Sequence, residues 1–147
     1  DLPLIYNKLG LPIIMVCVIP RAKVNYQANQ LLLKSTIRDV ANQLNGFCDC
    51  TDYIIRHTNT KTTHLDTPKA NEALSNHGMP NDGEKPYPGI TKDTCKISDN
   101  VRGKDILLID DLYTKTVNID EDAIQALLNK GAKSIVFYAV GKTVSRY

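Results

Sequence analysis

No apolar run in this 147-residue chain reaches the length of a membrane span; the run Leu11 to Ile19 is short and carries Pro12, so it reads as a buried strand. Charge of one sign is also lacking. Eighteen Lys and Arg stand against 16 Asp and Glu, and the net +2 is too small to imply a nucleic-acid or membrane partner. Cysteine is sparse: Cys17, Cys48, Cys50 and Cys95. Their one short spacing, Cys48-Asp49-Cys50, lacks the paired two-residue gaps of a zinc site. Reduced thiols in a cytoplasmic protein are therefore expected, with Cys17 in the core. His57, His64 and His77 lack metal-ligand spacing and are assigned no metal. There is no internal repeat, low-complexity tract or signal-peptide pattern; the chain opens on Asp1, which leaves a leader ahead of it open.

A hydrophobic fraction of 42% and a charged fraction of 23% suit an ordinary globular protein of this length, able to bury a core without disulfides. Residues 1–12 hold two prolines and read as an entry segment. Ile13 to Ile19 is nearly all apolar and β-branched, the pattern of a strand buried on both faces, and Pro20 ends it. Leu33, Ile37, Val40, Ala41 and Leu44 recur at helical spacing, which predicts a helix over residues 27–44 that stops at Asn45-Gly46. Tyr53 to Ile55 is a short strand candidate. Residues 57–100 are dense in Asn, Asp, Gly, Pro and Thr and read as a variable, loop-rich insertion, with one short helix from Pro68 to Leu74.

The last third has the clearest grammar. Asp105 to Ile109 reads as a buried strand with Asp110 and Asp111 at its carboxyl end. Asn118 and Glu121 form a capping box, and Ala123, Ile124, Leu127 and Leu128 form the buried stripe of the helix they open. Gly131 closes that helix, and Ser134 to Val140 is the next strand. Strand, loop, helix and strand in this length make a parallel crossover. The expected fold class is α/β: one domain over residues 1–147, with a Rossmann-like, mostly parallel sheet flanked by helices.

In open α/β sheets the ligand lies beyond the carboxyl ends of the strands. Two acids there, followed by Thr114, Lys115, Thr116, Val117 and Asn118 leading to a helix N-terminus, suit a phosphorylated ribose. The free N–H groups of the helix take the phosphate. The carboxylates take vicinal hydroxyls, directly or through magnesium. The plain alternative is that Asp110 caps and Asp111 faces solvent. Gly141-Lys142-Thr143 lacks the upstream glycine of a P-loop and follows a strand, so it is not one.

The segment Ile106-Leu107-Leu108-Ile109-Asp110-Asp111-Leu112-Tyr113-Thr114 resembles the phosphoribosyl pyrophosphate-binding motif of type I phosphoribosyltransferases. Gly131 to Val136, Gly141-Lys142-Thr143, Ile19-Pro20-Arg21 and Asn29-Gln30 are similar to the competence-associated (ComF-type), amidophosphoribosyltransferase-like branch. The resemblance covers residues 101–143 well, 13–44 less well, and 57–100 poorly.

The resemblance implies a transferase of nucleotide metabolism whose partner is a small phosphoribosyl substrate, with Mg2+ as cofactor. It implies that Asp110 and Asp111 act at the ribose and the metal. Thr114, Lys115, Thr116, Val117 and Asn118 would hold the 5-phosphate, and Arg21, Lys23 and Arg56 would face pyrophosphate. It leaves the acceptor open. The family loop runs Thr-Thr-Gly-Ala-Thr, whereas Thr116 and Val117 stand here in place of the glycine and the small residue; glycine lets the backbone approach phosphate where a β-branched residue resists. That departure keeps a second expectation in view: an inactive member of the fold that senses a nucleotide or binds and neutralises a protein partner.

Overall fold

The structure, a computed structural model, describes residues 1–22, 24, 31–59, 90–92, 94–113 and 119–143. The first helix is one the prolines concealed. Leu2–Leu9 (α1) is helical, where an entry segment was expected. Pro3 sits in the first turn, where its missing N–H costs nothing, and Leu2, Ile5, Tyr6 and Leu9 follow at helical spacing and pack on the core. The apolar run then forms strand β1, Ile14–Val18.

Helix α2, Leu32–Gln43, supplies Ala41, Ile37 and Val40 to the same side of the sheet as α1. The start of the helix expected over 27–44 lies outside the described residues, as do Lys23 and Asn29-Gln30. After Gly46 comes strand β2, Phe47–Asp49, which the sequence reading missed. Gly46 has φ 85°, and a Cβ there would fall on the Tyr6 ring, so a side chain is barred both by backbone and by contact.

The short candidate near Tyr53 is strand β3, Ile54–Arg56. It pairs antiparallel with β4, Cys95–Ile97, in a separate two-stranded sheet that had no counterpart in the sequence reading. A 3-10 turn, Asp99–Val101, leads to β5, Asp105–Tyr113. Helix α3, Ile119–Asn129, and strand β6, Ser134–Lys142, complete the crossover. The Pro68–Leu74 helix, His64 and His77 lie outside the described residues.

The main sheet has order β2-β1-β5-β6, and every neighbouring pair in it is parallel. Pleating divides the apolar strands between two cores. Ile14, Val16, Leu107 and Ile109 meet α1 and α2 on one face. Cys17, Ile106 and Leu108 meet Ala123 and Leu127 of α3 on the other. This is the expected α/β arrangement at the coarse level: a parallel sheet with helices on both faces.

The end of α3 follows its sequence closely. The Gly131 N–H donates to the Leu128 carbonyl (2.9 Å) and the Ala132 N–H to the Leu127 carbonyl (3.1 Å), with Gly131 at φ 99°. This is a Schellman closure, which needs a left-handed residue at that point. One stripe residue is corrected: Leu128 is exposed, because α3 buries the face of Asp120, Ala123 and Leu127. No helix among the described residues is long and apolar enough to cross a membrane.

Candidate functional site

Strand β5 runs four residues further than its apolar core, so Asp110 and Asp111 are strand residues and not the start of a loop. The ladder with β6 explains the extension. It continues through Asp110↔Ala139, Leu112↔Gly141 and Tyr113↔Lys142. Alternation then separates the two acids: Asp110 turns inward and is partly buried, and Asp111 is exposed.

Asp110 meets Asp120, the second residue of α3. The two carboxyls perturb each other's ionisation, and with burial they favour keeping a proton on Asp110. Burial, reinforced by Asp120, pushes the Asp110 carboxyl up to about 8. Burial also raises Asp120 above the usual carboxylate range. The Asp111 N–H donates to Asp110 Oδ1 (2.8 Å) and partly opposes the shift. Asp120 is only 3% exposed, and its Oδ1 has no hydrogen-bond partner among the described residues.

Cationic groups approach from the β1 side. Arg21, in the loop after β1, places Nη2 3.5 Å from Asp111 Oδ2. Arg56, at the end of β3, is buried, and its Nε donates to the Arg21 carbonyl at 2.5 Å. The two arginines named from the sequence are thus brought together, with Arg56 gripping the loop that carries Arg21. Lys23 and the whole Thr114–Asn118 stretch, including the Asn118 cap, lie outside the described residues.

Beside the acids is a pocket of about 530 Å³ whose lining includes Tyr113, Asp120, Glu121, Phe137, Gly141 and Lys142. The Tyr113 hydroxyl donates to Glu121 Oε1 (3.3 Å), its ring meets Phe137 edge-on, and Lys142 Nζ sits 5.9 Å from the ring centroid. Lys142 and Glu121 thus place charge of both signs around an aromatic wall.

Asp120 is the functional candidate that the sequence reading passed over. It had a signal. Asp120 precedes Ala123 by three residues and Leu127 by seven, so it occupies the apolar stripe of its own helix. An acid on a buried stripe, facing another acid, is an arrangement that costs stability and points to chemistry. Among the described residues no group of three His, Cys, Asp or Glu side chains is placed to hold a metal ion by itself. His57 makes local contacts, with Nδ1 near Thr58 Oγ1 (2.9 Å) and Nε2 near the Lys92 carbonyl (3.2 Å).

Comparison with protein families, with curated proteins and with solved structures finds no match to this chain.

Proposed function

We propose that the carboxyl end of β5 binds phosphoribosyl pyrophosphate or a related ribose 5-phosphate, and that the protein transfers phosphoribose with release of pyrophosphate. The observation that supports this most is the convergence of opposite charges at one end of a parallel sheet. Asp110 and Asp111 lie in the four-residue extension of a central strand beyond its apolar core, and Arg21 reaches Asp111 from the loop after the neighbouring strand. A pyrophosphorylated ribose needs both: acceptors for its vicinal hydroxyls and cations for its diphosphate.

In this reading Asp110 and Asp111 accept from the ribose hydroxyls. Arg21 exchanges its carboxylate partner for the diphosphate, and Arg56 keeps the Arg21 backbone in place. Magnesium characteristically takes one or two carboxylates and completes its shell with substrate oxygens and water. Asp110 and Asp111 face opposite sides of β5, so the exposed Asp111 would hold it, and when bound it would absorb charge on the departing diphosphate. Displacement at the anomeric carbon asks little acid–base work of the chain; positioning and charge stabilisation carry the rate.

Thr116 and Val117 favour a second reading, a ligand sensor or protein-binding module on the same fold. Calorimetric titration of phosphoribosyl pyrophosphate, with and without magnesium, separates the two. If the loop still serves a 5-phosphate, a strained β-branched residue costs on the order of 1–3 kcal/mol. Thr116→Gly with Val117→Ala is then expected to tighten binding by roughly tenfold to a hundredfold. No heat with the parent and no gain in the variant would overturn the transferase reading.

A further inference from the structure

Strands β1 and β2 bring sulfur atoms together in a way that neither strand does alone. Met15 and Cys48 are register partners. Two residues further along each chain come Cys17 and Cys50, and the Cys50 N–H donates to the Val16 carbonyl (3.0 Å), continuing the parallel ladder. With a period of two, these four residues share one face of the sheet. Cys50 Sγ lies 3.4 Å from Met15 Sδ and 3.9 Å from Cys48 Sγ. Cys48 is exposed and Cys50 is buried, so the group opens to solvent on one side only.

We propose that Cys48, Cys50 and Met15 form a binding site for monovalent copper, independent of the carboxyl end of β5. Cys50 is close enough to each of the other two sulfurs for one ion to bridge them. At a metal–sulfur length of about 2.3 Å, the Cys48–Cys50 separation subtends about 116° and the Cys50–Met15 separation about 95°. Ligand type selects the metal. A thioether is a soft, neutral donor that suits cuprous copper, whereas structural zinc takes four ligands drawn from thiolate, imidazole and carboxylate. No third His, Cys, Asp or Glu among the described residues completes such a set.

The chemistry balances without electron transfer. Cu(I) displaces one proton each from the Cys48 and Cys50 thiols, both protons go to solvent, and the thioether adds as a neutral ligand. Metal-free, burial pushes the Cys50 thiol up to about 12, so it keeps its proton until a cation replaces it. The Tyr53 side chain stands beside Cys50 and offsets part of that rise, which places a hydroxyl near the thiolate that metal binding creates. Cys17 stands behind the group in the core, and burial holds its thiol above the usual range.

The test uses the whole chain, reduced with a phosphine under anaerobic conditions and given Cu(I) as its acetonitrile complex. The chromophoric chelator bicinchoninate competes for the metal. One equivalent of copper is expected to stay with the protein, with an X-ray absorption spectrum showing a sulfur-only shell. Cys48→Ser and Cys50→Ser are expected to lose it, and the volume-conserving Met15→Leu to hold it more weakly. Tyr53→Phe is expected to weaken binding by about 10–100-fold, as loss of a donor to a ligand does. Cys95→Ser, on the other sheet, is expected to bind like the parent. Cys48 is exposed, so its serine variant keeps the fold, which circular dichroism checks. A folded parent that surrenders all its copper, or a Cys48→Ser protein that retains copper as the parent does, overturns the proposal.

Discussion

Asp105 and Asp110 lie five residues apart on the same strand, and their surroundings drive them in opposite directions. At the amino end of β5, Asp105 accepts from Ser134 Oγ (2.6 Å) and Lys133 Nζ (3.3 Å). The Ser134 hydrogen bond, with help from Lys133, holds its carboxyl below the usual range. At the carboxyl end, Asp110 has burial and a second acid, and it is pushed up to about 8. One acid is satisfied by its neighbours and ties β5 to β6. The other is held against its own ionisation. An acid whose folded environment opposes its charge is the kind that ligand or metal binding relieves.

The largest effect expected from this contrast is on binding. Asp110→Asn with Asp111→Asn is expected to weaken phosphoribosyl pyrophosphate binding by about a hundredfold or more, two steps of 1.4 kcal/mol, while the protein stays folded. Asp105→Asn is expected to leave that affinity unchanged. Calorimetry on the two variants decides, and equal losses in both would erase the distinction between the ends of β5.

The next effect is on stability against pH. The folded pKa of Asp110, about 8, lies above the unfolded value of about 4. Between these limits the native state holds more protons than the unfolded chain, so stability falls as pH rises through the window. Asp110→Asn removes that dependence. The variant is expected to exceed the parent at pH 8 by at least about 1.4 kcal/mol, the worth of one pKa unit, and to show no advantage near pH 4. Urea unfolding at both pH values measures it, and a variant less stable than the parent at pH 8 would mean that burial and Asp120 do not hold Asp110 against its ionisation.

A smaller effect of opposite sign is expected at Asp105. Its depressed folded pKa contributes stability that is present above the unfolded value and lost as pH falls through the folded one. Asp105→Asn is therefore expected to destabilise at neutral pH and to match the parent in strong acid, as followed by thermal unfolding. The least effect belongs to Lys133→Ala. Its ion pair to Asp105 is solvent-exposed on the lysine side, and such pairs contribute little, so no shift in melting temperature is expected.

Legibility differed in the same way along the chain. β5, α3 and β6 could be read because each carries its own signal: four consecutive apolar residues, a helical stripe, a glycine past the last turn. β2 could not, since Phe47-Cys48-Asp49 is three residues long and has no pattern until β1 lies beside it. The candidate site divided likewise. Asp110 and Asp111 stood out as acids after an apolar strand, whereas Asp120 looked like an ordinary first-turn acid of a capped helix. The sulfur group was hidden most fully, because the rules for metal spacing look along the chain and these ligands meet across two strands.

The sequence by itself determined where the chain is apolar with period two or three to four, and hence the parallel α/β class, the acid pair after the apolar core of β5 and the stop at Gly131, though not that β5 continues past the acids to Tyr113. These are local properties, decided by each residue's backbone preference and its immediate neighbours. Only the tertiary structure decided which acids face each other, that Arg56 holds the Arg21 loop, and that Met15 lies beside Cys48. Those relations depend on strand order and register, and a shift of one residue would turn every side chain of β2 to the other face of the sheet.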